Sequence, residues 1–341
     1  MAVTIRQIAE AAGVSRGTVD RALNYRKDIN KQQAERIRKI AGEMGYRPNR
    51  MGRALALSKN HIKIGVLIQF AHTAFMQRIM KGVDAAIEEM QRFQVEVIVK
   101  LIEDNDTDQT VIAMEQLRRE GCRGIAMVPW NEKKIRDKID EFAREGISIV
   151  TVNGDIADSE RICFVGQDGF RSGCTAAGLM AEVLPLNKDV LIISGSPANT
   201  SNSNRAEGFR KEITKIRPDV KNIYIEYAFE SNETAETICR KHLAAHAETG
   251  GIYLTAAGVK GVCKVLEEKK LTGIIKVISN DLTDENTEQL KKGNVQFLLG
   301  QDPFSQGYRP IQILFEKLVD GHDPEVKEEY TSIEIKTKYN L

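Results

Sequence analysis

Residues Thr4–Asn24 read TIRQIAEAAGVSRGTVDRALN, and the front of the chain is decided by how they fold. Thr4 followed by Gln7 has the form of a capping box, in which a hydroxyl caps the third residue's N–H while the glutamine reaches back. A helix therefore begins there, with Ile5, Ile8, Ala9 and Ala12 on its apolar face. Gly13 supplies a sharp turn. Ser15 then caps a second helix whose inward positions are Val19, Ala22 and Leu23. Further on, Asn30 caps a third helix carrying Ile37, Ile40, Ala41 and Met44. Two short helices joined at a glycine and braced by a third describe a helix-turn-helix unit.

The outward side of the second helix holds Arg16, Gly17, Asp20, Arg21 and Asn24. Arginine matches O6 and N7 of guanine in a bidentate way, and Ser15, Thr18 and Asn24 suit phosphates or base edges. Glycine at position 17 lies in the first helical turn, where intrahelical bonding is incomplete, so its cost falls below the roughly 1 kcal/mol of a mid-helix glycine. Asp20, four residues after Arg16, can hold that side chain or accept from a cytosine amino group.

Charge separates this head from the rest. The chain of 341 residues carries a net charge of +1, yet its first 60 residues hold 13 basic and 5 acidic side chains. A basic head on an acidic body points to a head that meets a polyanion. At 42% hydrophobic and 28% charged, the chain is long enough for a sizeable core in two or three units. It shows neither a membrane-spanning run nor a signal peptide, which predicts a cytoplasmic protein. Cys122, Cys163, Cys174, Cys239 and Cys263 are odd in number and form no C-x-x-C, so free thiols are expected rather than disulfides or zinc.

The stretches TIRQIAEAAGVSRGTVDRALN and GYRPNRMGRALA resemble the DNA-binding head of the lactose-repressor (LacI/GalR) family in order and spacing. That resemblance implies that Arg16, Gly17 and Arg21 face bases in the major groove, while Ser15, Thr18, Asn24, Tyr46 and Asn49 position the DNA backbone. Thr4 and Arg50 complete the DNA-facing set. Many relatives carry a base-reading side chain where Gly17 stands, which leaves more of the specificity to Arg16 and Arg21. The stretch NRMGRALAL, Asn49 to Leu57, is too short for a stable isolated helix. By the same resemblance it forms a hinge helix on DNA, with Leu55 wedged into the minor groove.

After His61 the sequence alternates. Strand-like IKIGVLIQF, VEVIVKLI, RGIAMVPW and ISIVTVN are separated by amphipathic helices, and the rhythm resumes with DVLIISG, NIYIEYA, GIYLT and IKVISND. Such alternation predicts parallel sheets of βαβ units in two α/β lobes with a cleft between them. Ligands of open α/β sheets sit beyond the carboxyl ends of strands, so polar residues there are the candidates. Asn153 and Asp155 follow IVTV, Asp281 follows KVISN, Gln301 follows VQFLLG and Trp130 follows IAMVP; Phe75 opens the body's first helix and Arg205 lies in NRAEGF. Carboxylates, amides and a guanidinium pair with adjacent hydroxyls, and aromatic rings stack on the C–H faces of a sugar.

The segments FMQRIMKG, VGQDGFRSG, RAEGF, ND and GQDPFSQG resemble, in order, the periplasmic sugar-binding fold used by that family, most closely its ribose-binding branch. Carried over, Phe75, Asn153, Arg205, Asp281 and Gln301 match pentose-contacting positions. Asn153, Gly154 and Thr73 stand where ribose binders often have aspartate, arginine and asparagine, so the plan is sugar-like without being a ribose pocket. Trp130 and Asp155 are added from their own placement.

The expected architecture is an all-α helix-turn-helix head over residues 1–48, a hinge over 49–60, and a two-lobed periplasmic-binding-protein-like α/β body with parallel sheets over 61–341 for effector binding and dimerisation. Lobe 1 is expected at about 61–165 and 295–322, lobe 2 at about 166–294 and 323–341. No nucleotide-binding glycine motif, catalytic set or metal site stands out, since His242 and His246 lack a third ligand; neither enzyme activity nor a cofactor is expected. Without a leucine heptad tail a homodimer is expected. The function expected is a DNA-binding regulator, a repressor on a pseudo-palindromic double-stranded operator, controlled by a sugar-like effector. The alternatives are a phosphorylated metabolite, a purine or a protein coregulator in the effector's place, and, from other classes, a carbohydrate-binding protein or an α/β enzyme.

Overall fold

The computed structural model describes residues 3–23, 29–45, 62–103 and 106–341. In the head, α1 (Ile5–Ala12), α2 (Arg16–Leu23) and α3 (Lys31–Glu43) close around Ile8, Ala9, Ala12, Val19, Ala22, Ala34, Ile37 and Ala41. The capping box at Thr4 forms in both directions: Gln7 N–H donates to Thr4 Oγ1 at 3.4 Å and Thr4 N–H to Gln7 Oε1 at 2.8 Å. Gly13 ends α1 at φ 66°, a left-handed position that glycine takes without a Cβ clash. The expected hinge, residues 49–60, lies outside the described residues.

In the body the chain runs β1 (Lys63–Gln69), α4 (Ala74–Arg92), β2 (Glu96–Ile102), α5 (Thr107–Arg119), β3 (Gly124–Met127), α6 (Lys133–Arg144), β4 (Ser148–Val152) and β5 (Cys163–Gln167). It continues through α7 (Gly169–Val183), β6 (Asp189–Ser194), α8 (Thr200–Ile216), β7 (Ile223–Tyr227), α9 (Asn232–Ala245), β8 (Thr249–Leu254), α10 (Val259–Glu268), β9 (Lys276–Asn280), α11 (Asp284–Lys292) and β10 (Phe297–Gly300). Then come α12 (Pro303–Phe315), running into a π-helical turn Glu316–Asp320, and the short strands β11 (Glu328–Thr331) and β12 (Glu334–Lys336).

Two six-stranded sheets result, ordered β11-β5-β4-β3-β1-β2 and β12-β10-β9-β8-β6-β7. Every pairing is parallel except that of β12 with β10. Helices cover both faces, so central strands such as β6 are buried along their whole length and read as continuous apolar runs.

The chain crosses between the lobes three times: after β5, after β10, and between β11 and β12. This corrects the expected boundaries. Phe297–Gly300 belongs to the second sheet, where Leu298 lies beside Ser279, so the chain returns to lobe 1 only beyond Gly300 and not near 295. Likewise β11 pairs with β5 of lobe 1, Glu328 beside Phe164, and β12 alone of the terminal segment joins lobe 2. The physical reason is that β5 and β10 would otherwise be open edges, and each receives one short strand from the terminal segment.

Glycines set the helix packing. A Cβ on Gly82 of α4 would fall 2.1 Å from Phe304 O, and one on Gly307 of α12 would fall 2.0 Å from Ile79 O. In lobe 2, Gly173 of α7 and Gly208 of α8 stand 2.1 Å in the same sense from Arg205 O and Phe170 O. Each lobe thus has a helix pair packed backbone to backbone through reciprocal glycines, and lobe 2 has a further close approach where a Cβ on Gly261 of α10 would fall 2.0 Å from Asn232 O of α9.

Candidate functional site

A cavity of about 310 Å³ opens between the lobes and is lined by Phe75, Trp130, Asn153, Arg205, Asp281 and Gln301, six of the seven candidates for the effector site. Strand ends aim several of its walls. Phe70 after β1, Asn153 after β4 and Asp281 after β9 take positive φ of 52°, 61° and 72°, as does Glu230 at 62°. Left-handed backbone costs an ordinary residue roughly 1–2 kcal/mol, and such strain persists where the surrounding structure over-determines it.

The polar wall is one connected network. Gln301 Nε2 donates to Asp281 Oδ1 at 2.5 Å, and Asn153 Nδ2 donates to Gln301 Oε1 at 3.3 Å and to Gln306 Oε1 at 3.2 Å. The Arg205 guanidinium, on a residue 2% exposed, donates to Thr255 O at 2.9 Å and to Gln167 Oε1 at 3.2 Å. Gln167 in turn donates to Gly300 O at 2.9 Å and Ser332 O at 3.3 Å, so one side chain ties all three crossings to Arg205. Burial pushes the Asp281 carboxyl above its ordinary range, against the pull of the Arg205 charge. On the apolar side Phe70 meets Trp130 edge-on at 5.6 Å, and the buried Trp130 indole N–H has no acceptor among the described residues.

Asp155 is not part of the cavity, which corrects its assignment. Its carboxylate takes Nε and a terminal nitrogen of Arg161 at 2.5 and 2.6 Å and the Thr151 hydroxyl at 2.6 Å. Its backbone serves the cleft instead: Asp155 N–H donates to Thr200 Oγ1 at 2.8 Å across the lobes. Arg78 and Asp284 form a second tie at 2.7 Å. Thr73 lines the cavity and also caps α4 at Met76 N–H. A Cβ on Gly154 would lie 3.1 Å from Pro129 O, leaving little room for the arginine that ribose binders often place there.

Sequence reasoning missed Phe70, Asn202, Asn232 and Glu230, all in the cavity wall. Glu230 Oε1 accepts from Asn202 Nδ2 at 3.1 Å and Oε2 from Ala257 N–H at 3.2 Å. The signal was present, since Glu230 comes soon after β7, but Ala228 and Phe229 intervene. His242, considered and set aside as a metal ligand, shares a 2.9 Å hydrogen bond with Thr249 and packs edge-on against Tyr224 at 4.8 Å, and burial takes its pKa down to about 4.

In the head, Arg16 and Gly17 are exposed on α2. Ser15 Oγ accepts from Thr18 N–H at 3.1 Å, and Arg21 donates to Thr18 Oγ1 at 3.4 Å, which lines Ser15, Thr18 and Arg21 along one side of the helix. Arg38 of α3 donates to Ala22 O at 2.9 Å and fixes the end of α2. Of the two roles open to Asp20, the brace on Arg16 is not formed among the described residues. Thr4 is engaged in its cap. Asn24, Tyr46, Asn49, Arg50 and Leu55 lie outside the described residues.

Helix-turn-helix head and two-lobed cleft together define a class of fold, a periplasmic-binding-protein-like body that carries a helix-turn-helix unit. The chain belongs to the periplasmic binding protein domain family, whose model matches residues 64–322, and its residues 4–49 match the model of the lacI family of bacterial regulatory proteins. It is similar to the catabolite control protein A of Streptococcus mutans, 27% identical over 62% of this chain and 61% of that protein. The probable transcriptional repressor ExuR of Bacillus subtilis is 28% identical over 65% of this chain and 63% of that one. The matched segments thus span less than two thirds of these relatives' length. Among solved structures, GanP, a glucose-galactose binding protein from Geobacillus stearothermophilus, superposes with a TM-score of 0.75 at 22% identity over 82% of this chain and 99% of that one. A solute-binding protein from Burkholderia graminis in complex with D-arabinose gives 0.75 at 22%, over 82% and 96%. At that identity the likeness is one of fold. Among the described residues no helix is long and apolar enough to cross a membrane.

Proposed function

We infer that the protein is a cytoplasmic transcription repressor that binds a pseudo-palindromic operator as a homodimer and is controlled by a small hydroxyl-rich effector held between its lobes. The observation that carries this reading is the convergence of Asn153 from lobe 1, Arg205 and Asp281 from lobe 2, and Gln301 from a crossing on one aromatic-walled cavity. Such a set of paired acceptors and donors beside rings is what a sugar or sugar derivative requires. Arg16 and Arg21 carry the base preference, with Ser15 and Thr18 on the phosphates. An effector that binds one lobe arrangement better shifts the population toward it, and the dimer passes that shift to the hinges. A closed form that separates the hinges makes the effector an inducer; one that brings them together makes it a corepressor.

The test is a thermal-shift screen of the full chain against pentoses, hexoses and polyols, since a ligand of the folded state adds about 2.7 kcal/mol at a hundredfold excess over Kd. Asp281→Ala is expected to abolish the shift while leaving cooperative unfolding intact, and Arg21→Ala to relax operator preference. A retained ligand response removes Asp281 from the site, and unchanged discrimination removes Arg21 from base reading.

A further inference from the structure

The cavity holds more negative charge than a neutral ligand would need. Its walls carry the carboxylates of Glu230, Asp281 and Glu285 and a single guanidinium, that of Arg205. The other cation close by, Arg78, is paired with Asp284 at 2.7 Å. Glu285 is held by Asn232 Nδ2 at 3.2 Å, whereas Asp281 Oδ2 has no partner among the described residues. Glu230 is a built feature. Its oxygens sit on Asn202 Nδ2 and the Ala257 amide, and a Cβ on Gly195 would fall 2.3 Å from both Glu230 Oε1 and Asn202 Nδ2. Glycine at 195 is therefore what allows that carboxylate to occupy the wall. Trp130, 4% exposed in the same wall, supplies an N–H, unpartnered among the described residues, that a hydroxyl oxygen would satisfy, and with Phe70 and Phe75 it lines the cavity with aromatic rings, a surface that can receive a cation.

We propose that the effector is an amine-bearing sugar, its ammonium group received by Glu230 and Asp281 and its hydroxyls by Arg205, Asn153, Gln301 and Trp130. This rests on the reading of the cleft as a sugar site and narrows it. Closing the lobes over a neutral sugar desolvates two carboxylates against one arginine, and a buried charge without a partner is costly. An ammonium group removes the imbalance; a phosphate or carboxylate on the ligand worsens it. The charge set thereby selects against the phosphorylated metabolites that the sequence left open.

Isothermal titration of the full chain with glucosamine, galactosamine and mannosamine, each beside its neutral parent, its N-acetyl form, its 6-phosphate and the matching uronic acid, tests this. One amino sugar is expected to bind about tenfold or more tighter than its parent and its N-acetyl form, a charge-assisted contact's worth of affinity. Glu230→Gln keeps hydrogen bonding to Asn202 or Ala257, removes the charge and is expected to bring the ratio to about one. Gly195→Ala, whose backbone stays in a region open to alanine, is expected to do the same by displacing the carboxylate. A neutral sugar that binds as tightly as its amine overturns the proposal and leaves the sugar reading standing; so does a tighter uronate or phosphate, which would give Arg205 the leading part. If no sugar of any kind binds, the proposal and the sugar reading fall together.

Discussion

The Asp281 and Glu230 carboxyls are pushed up from their ordinary values chiefly by burial, so between the ordinary and the raised values the folded chain binds protons there that the unfolded chain has released. Stability contributed this way is present below the ordinary carboxyl range and is lost as pH rises through the raised values. Asp281→Asn removes the penalty and is expected to raise the melting temperature of the ligand-free protein at pH 7.5 by about 2 °C or more, with a smaller gain at pH 5. Equal gains at both pH values would refute the burial account. Gly17 is exposed, and a Cβ there meets only Ser15 Oγ at 3.8 Å, so Gly17→Ala is expected to stabilise the head by a few tenths of a kcal/mol in thermal unfolding. At this scale legibility depended on local neighbours. Asp281 and Gln301 were readable because they directly follow strands that end at the cleft. Asp155, with Asn153 and Gly154 between it and the end of β4, was read into the same group, yet Arg161, six residues on, folds back and takes both of its oxygens. Glu230 went unread because the strand before it, β7, lies at a sheet edge and ends on the exposed Glu226 and Tyr227, so no apolar run marks where it stops.

Among the elements, the reciprocal glycines explain why FMQRIMKG, GFRSG, RAEGF and PFSQG stand out in the sequence. Gly82, Gly173, Gly208 and Gly307 sit where two helix backbones touch. Gly173→Ala would drive a Cβ to 2.1 Å from Arg205 O, backbone that no rotamer change can relieve, and is expected to destabilise the protein by about 3 kcal/mol in denaturant unfolding. Because the atom struck belongs to Arg205, effector affinity is expected to fall with it. The capping box, the strand-helix rhythm and the apolar faces of α1 to α3 were legible because they rest on contacts a few residues apart. The assignment of β10, β11 and β12 to sheets was not: β11 pairs with β5 more than 150 residues away, Glu328 beside Phe164, which leaves no local trace, and the chain changes lobe between β10 and β11 and again before β12. Short strands at an edge also lack the long apolar run that marks β1 or β6.

For the whole molecule, Gln167 is the point where the cleft meets the crossings, accepting from Arg205 and donating to Gly300 O and Ser332 O. Gln167→Ala is expected to leave the lobes folded and to lower the effector's influence on operator affinity more than it lowers effector affinity, read by titrating operator with and without saturating ligand. A proportional loss in both would make Gln167 an ordinary binding contact. The crossings have another consequence, for the ribosome. Strands β6 to β10 of lobe 2 are made in one unbroken run, but lobe 1 must wait for α12, which packs on α4 and contributes Ile311, Leu314 and Phe315 to its core, and then for β11 to close its edge. The lobe whose synthesis starts first therefore receives its last core helix only after β6 to β10 of the other have been made, and until that helix emerges its apolar face depends on whatever in the cell will shelter it.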